Sequence, residues 1–257
     1  MSAIHKQQLR RSVDAIMQLE EIIQTSLLPR LLHVAENKPE EARQRLMANF
    51  HAHVRVLNEF MQRNFMEGSF SVSAFVDLHT LFFPPGYPIK AVGNDGVHVE
   101  MRPGEWRKQV LHPYVVTFSP VESIGIDLKN IIEEFNQIRQ PRREDIFHLY
   151  LLFGKVHPFG DANGTISALV CDVLCFRHGL VPFWMLNIRF KDKDFGYRMV
   201  SEYEQSQSDQ TLANILRKID AFHRSFPIQQ QDGHPAPSKM KNQTDRHGMH
   251  DLHEVEP

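Results

Sequence analysis

Cysteine is scarce in this sequence, a long apolar run is missing, and so is any surplus of one charge. The only cysteines are Cys171 and Cys175, four apart in an apolar stretch. Two thiols build no disulfide framework, and zinc needs more ligands than this. They read as reduced core residues in a cytoplasmic compartment. No stretch reaches the roughly 18 apolar residues of a membrane span. The start, MSAIHKQQLRR, has no apolar segment of the kind a signal peptide needs. Export of a secreted effector is therefore expected only by a route without a cleavable signal. The 29 Lys and Arg against 31 Asp and Glu leave a net charge of -2. A nucleic-acid partner usually leaves a basic footprint, so none is expected. No internal repeat is visible, and no pattern sets the oligomeric state.

What is present is an ordinary globular composition, 42% hydrophobic over 257 residues. That suits one domain of about 200 residues with extensions. Leu9, Val13, Ile16, Ile23 and Leu27 recur at helical spacing and predict a helix over 3–35. A second is expected over 39–65, with Pro39 in its first turn and a stripe of Leu46, Phe50, Val54, Leu57 and Met61. A shorter one is expected around 71–82. Residues 84–120 then turn to Pro, Gly and β-formers, with VHVEM alternating over 97–101 and Pro113 inside QVLHPYVVTF. They predict a small hairpin rather than a sheet. Helices are expected again over 121–138, 141–156, from Ile166 to a stop at Gly179, and over 208–226. The expected division is an N-terminal helical extension over 1–69, a core domain over 70–226, and a polar disordered tail over 227–257.

The chemistry concentrates in HPFGDANGT, residues 157–165, between two strongly apolar helices. Gly160, Ala162 and Gly164 are small enough for a ligand to approach the backbone. The loop opens a helix, whose first N–H groups and dipole attract anions. A carboxylate there, Asp161, repels a phosphate unless a divalent cation sits between them, and one carboxylate plus phosphate oxygens is how proteins commonly hold Mg²⁺. His157 is a general base suited to neutral pH, and Asn163 donates to an oxyanion without adding charge. Together these residues suggest attack of a hydroxyl on a phosphoryl centre. The competing reading is a buried His-Pro turn that merely joins two helices.

The stretch HPFGDANG resembles the signature of Fic-domain proteins, His-Pro-Phe-x-Asp/Glu-Gly-Asn-Gly-Arg-x-x-Arg, and Ala162 in place of the first Gly is similar to the Doc branch. Phe153 and Val156 fit the residues that precede the His in the family, and PGEWRK (103–108) is similar to its Gly-x-Tyr-Arg stretch. The similarity covers about residues 70–225. It implies an all-α Fido fold, a helical bundle with a small β-hairpin flap. It further implies transfer of AMP from ATP, or from another nucleotide donor, to a Ser, Thr or Tyr hydroxyl of a target protein. His157 would be the base and Asp161 the Mg²⁺ ligand. Gly160, Ala162, Asn163, Gly164 and Thr165 would bind the nucleotide phosphate, and Phe159 would anchor the loop. The flap near Trp106, Arg107, His112 and Tyr114 would hold the target as an added strand.

Two departures stand out. Thr165 and Ala168 occupy the positions of the family's arginines. A charge-assisted hydrogen bond contributes about 1.5–3 kcal/mol, so the loss weakens a triphosphate site unless another cation substitutes. Lys155, Arg107 and Arg177 are the candidates. A donor without a γ-phosphate, such as a phosphocholine or phosphate carrier, and a catalytically inactive binding module are the alternatives. No Ser or Thr stands four residues before a Glu anywhere in the chain, so the family's inhibitory helix motif is absent too.

Overall fold

The structure is a computed structural model that describes residues 40–68, 70–83, 89–92, 98–108, 117–186, 188, 192 and 194–225, together with Glu20, Ile23 and Gln24. Most of the helix expected over 3–35, the tail over 227–257, and His112 and Tyr114 lie outside the described residues. Among the described residues no helix is long and apolar enough to cross a membrane.

The helices run in the order α1 (Glu40–Met61), a π-helical turn (Gln62–Glu67), α2 (Val72–Phe82), α3 (Ile124–Gln137), α4 (Arg143–Val156), α5 (Asn163–Arg177), α6 (Phe195–Ser206) and α7 (Asp209–Ser225). Their limits follow local chemistry. Ser71 caps α2 by accepting the Ala74 N–H at 3.1 Å. Asp145 turns back to accept the Arg142 N–H at 2.7 Å at the start of α4. The periodicity places α1, α2, α3, α4 and α7 to within a few residues. The helix that the sequence reading leaves out is α6, although Phe195, Met199, Val200 and Tyr203 of FGYRMVSEYEQS recur at helical spacing.

Helix α5 is the centre of the molecule. Asn163 and every residue from Ile166 to Cys175 are buried. The sequence suggests one apolar face (Ile166, Leu169, Val170, Val173, Leu174). The structure encloses the helix all round, so small residues such as Ser167, Ala168, Cys171 and Cys175 fill its remaining sides. Both thiols are held well above their ordinary range by burial, as expected of inert core cysteines. Phenylalanines link the elements around it to one another: Phe65–Phe70 at 5.4 Å between ring centres, Phe70–Phe153 at 6.0 Å, Phe75–Phe153 at 4.7 Å and Phe75–Phe159 at 5.7 Å. The buried residues of α1 (Phe50, Val54, Leu57, Met61) share this one core.

The two strands are β1 (Ile89–Val92) and β2 (His98–Met101), antiparallel, with Ile89 opposite Met101 and Val92 opposite His98. Ile89 and Met101 are buried, so one end of the hairpin is seated on the helices. The hairpin thus lies wholly before Trp106, upstream of the flap expected from Trp106 onward. The bundle of helices with this small hairpin is the all-α architecture expected from the sequence.

Candidate active site

The α4–α5 turn carries the motif. Helix α4 ends when His157 takes a left-handed conformation (φ 47°, ψ 60°), its N–H still bonded to the Phe153 carbonyl at 2.9 Å. Ala162, also left-handed at φ 61°, is the residue before α5. Gly is easiest at both places and this chain has neither, so the surroundings must hold the loop in shape.

They do so by three devices. Asn163 grips the backbone of Phe159 from both sides, its Oδ1 accepting the Phe159 N–H at 2.8 Å and its Nδ2 donating to the Phe159 carbonyl at 2.7 Å. The expected phosphate donor is therefore a buried clamp, 4% exposed. Phe159 is the anchor expected from the sequence, fully buried and stacked on His79 at 3.7 Å, Trp106 at 5.3 Å and Phe75. His79, which the sequence reading passed over, accepts the Gly104 N–H at Nδ1 (2.8 Å), so its proton is on Nε2, facing the Asp161 carbonyl at 3.2 Å. It ties the chain after β2 to the motif.

The third device corrects the sequence reading. Trp106 and Arg107 were expected to meet a target. Instead Trp106 is half-buried and pairs with Phe159 as an isolated antiparallel bridge. Arg107 is 2% exposed. Its N–H donates to the Pro158 carbonyl at 2.8 Å, its Nε to the His157 carbonyl at 2.7 Å, and its Nη2 to the carbonyls of Ser119 and of Val156, the latter at 3.4 Å. Burial lowers its pKa, yet a guanidinium stays charged in proteins.

Beside the loop is a cleft of about 520 Å³, counted with its open mouth. His157, Asn163, Gly164 and Ser167 line it from the motif side, and Phe118, Tyr150, Tyr197 and Val200 from the others. The Phe118 ring packs on the His157 imidazole at 4.7 Å. Glycines bring the walls together: a Cβ at Gly154 would lie 3.1 Å from Val200 Cγ2, and one at Gly196 would lie 3.2 Å from the Tyr150 hydroxyl. Helix α5 begins without a side-chain cap. Its first turn bonds Thr165 and Ile166 N–H groups to the Ala162 carbonyl, both at 2.9 Å. The Asn163 and Gly164 N–H groups, at the positive end of the helix dipole, are bonded to none of the described residues.

Gly160, Asp161, Ala162 and Thr165 are not among the residues that line the cleft. The Asp161 carboxylate accepts the adjacent Ala162 N–H at 2.6 Å. Among the described residues no cluster of three or more metal-ligating side chains exists. Nor does a Lys or Arg line the cleft. Lys155 pairs with Glu204 of α6 at 3.7 Å, Arg107 is enclosed, and Arg177 bonds the Phe65 and Gly68 carbonyls at 3.3 and 2.7 Å from the far end of α5, about 20 Å from the motif at helical rise. None of the three lines the cleft.

No family model matches the chain, and no curated protein does. Solved structures do. A Fic family protein from Desulfovibrio desulfuricans G20 is 13% identical, over 88% of this chain and 67% of that one, with a TM-score of 0.46. A Fic domain-containing signalling protein from Bacteroides thetaiotaomicron VPI-5482 is 13% identical, over 85% of this chain and 92% of that one, with a TM-score of 0.51. The second likeness shows the fold: this chain folds as a Fic domain.

Proposed function

We propose that the chain is a transferase that moves a phosphate-linked group from a nucleotide donor to a hydroxyl of a target protein. The observation that carries the reading is the shared cleft of His157 and the uncapped start of α5. The imidazole takes the proton of a Ser, Thr or Tyr hydroxyl as its oxygen bonds to phosphorus, and the bond from phosphorus to the leaving group breaks. The Asn163 and Gly164 N–H groups stabilise the charge on the phosphoryl oxygens. Asp161 is a single carboxylate two residues before the start of α5, which suits a Mg²⁺ that arrives with phosphate rather than one caged by protein. When bound, that ion would neutralise part of the phosphate charge.

The donor is better read as one of low charge than as ATP. The cleft has aromatic walls and no cationic side chain among the described residues, so a triphosphate tail finds no counter-charge there. A phosphocholine or phosphate carrier fits more easily. The test is thermal shift against ATP, GTP, UTP, ADP and CDP-choline, with and without Mg²⁺, for the wild type, His157→Ala and Asp161→Ala. Metal-dependent stabilisation of the wild type that Asp161→Ala loses, with target modification abolished in a folded His157→Ala, supports a transferase and names its donor. No stabilisation by any nucleotide at millimolar concentration refutes it in favour of a binding module.

A further inference from the structure

We infer that Arg107 is the positioning residue for the imidazole of His157. The inference rests on the reading of His157 as the base. The guanidinium sits where three stretches of chain meet, and all its described acceptors are main-chain carbonyls of those stretches. Nε holds the carbonyl of His157 itself, the residue in the left-handed conformation. That bond fixes the peptide plane from which the side chain projects. Nη2 holds the carbonyl of Ser119, next to Phe118, the ring packed on the imidazole. The Ser119 N–H in turn bonds the Lys155 carbonyl at 3.1 Å, so the segment that carries Phe118 is pinned to the end of α4 as well. One buried cation therefore sets both the backbone under the imidazole and the ring beside it. A planar fork with five donors spans such diverging carbonyls, whereas the point charge of a lysine does not.

The test needs neither substrate nor activity. The His157 ring-proton resonance is assigned through His157→Gln, and Phe118→Leu measures how far the Phe118 ring displaces it. In Arg107→Met the resonance should move to the position it takes in Phe118→Leu, while resonances of Ile215 and Ile219, buried on α7, stay in place. A folded Arg107→Met with His157 at its wild-type position overturns the inference. Should Arg107→Met fail to melt cooperatively, Arg107→Lys is read instead. A loss of roughly half or more of the Phe118-dependent displacement supports the inference, and a smaller loss overturns it. Absence of transferase activity in the wild type would sink the functional reading and leave this measurement standing.

Discussion

Replacing Asn163 by Ala tests the central claim about the loop. The side chain is 4% exposed and bonds both the N–H and the carbonyl of Phe159, at 2.8 and 2.7 Å. Truncation leaves two polar groups of a fully buried residue without partners, each at about 1–3 kcal/mol. The gain in helix propensity at the first position of α5 returns less than about 0.7 kcal/mol. The middle of that range, less the propensity gain, is a net destabilisation of about 3 kcal/mol, and water entering the vacated space would lower it. At about 2–4 °C per kcal/mol for a domain of this size, Tm falls by about 6–12 °C. Calorimetry or a urea midpoint reads it. Asn163→Asp sharpens the test, because it keeps the acceptor but sets a buried carboxylate against the Phe159 carbonyl. Its acid would be raised by that environment, so its stability should be greatest in acid and lost as pH rises toward neutrality. An Asn163→Ala protein that melts within about 2 °C of the wild type would refute the clamp.

Two further outcomes are expected. Asp172 is 1% exposed, its Oδ1 accepts the Phe183 and Trp184 N–H groups, and its Oδ2 has no partner. Burial, outweighing those bonds, pushes its pKa from 3.8 up to about 7. The folded chain then keeps a proton that the unfolded chain gives up, so this contribution is full below about pH 4 and lost as pH climbs to about 7. Asp172→Asn should flatten that part of the pH dependence of the urea midpoint, and equal slopes in the two proteins would contradict it. Gly104→Ala combines a φ of +86° with a Cβ only 2.3 Å from Thr80 Oγ1. It should destabilise by about 2–4 kcal/mol, left-handed strain and clash together, and adding Thr80→Ala should recover the clash part. Strict additivity of the two substitutions would show that they do not meet.

The helices and the motif were legible because both are written in neighbouring residues. A stripe such as Leu128, Ile132 and Phe135 is local, and so is HPFGDANGT. What escaped notice joins residues far apart. Arg107 reaches carbonyls some 50 positions away, and a carbonyl leaves no mark in a sequence, so a Trp-Arg pair reads as a surface pair. His79 is hidden in the same way by its partners Gly104 and Asp161. Tyr197 and Gly196 stand on α6, whose short stripe of Phe195, Met199 and Tyr203 is local and readable, although neither residue belongs to it. The missing arginines were legible as absences. That Lys155 pairs with Glu204 and Arg177 with the Gly68 carbonyl leaves no mark in neighbouring residues.

Helix α5 is fastened at both extremities, by the Asn163 clamp at its start and by Arg177 on the Phe65 and Gly68 carbonyls at its end, and it is buried between. Its buried, hydrogen-bonded amides from Ile166 to Cys175 should therefore exchange with solvent only when the whole molecule opens, and be among the slowest of the described residues. A ligand that meets the start of such a helix finds the receiving groups already immobile. It has little protein entropy to remove, and its association should be correspondingly insensitive to the order of the remaining loops.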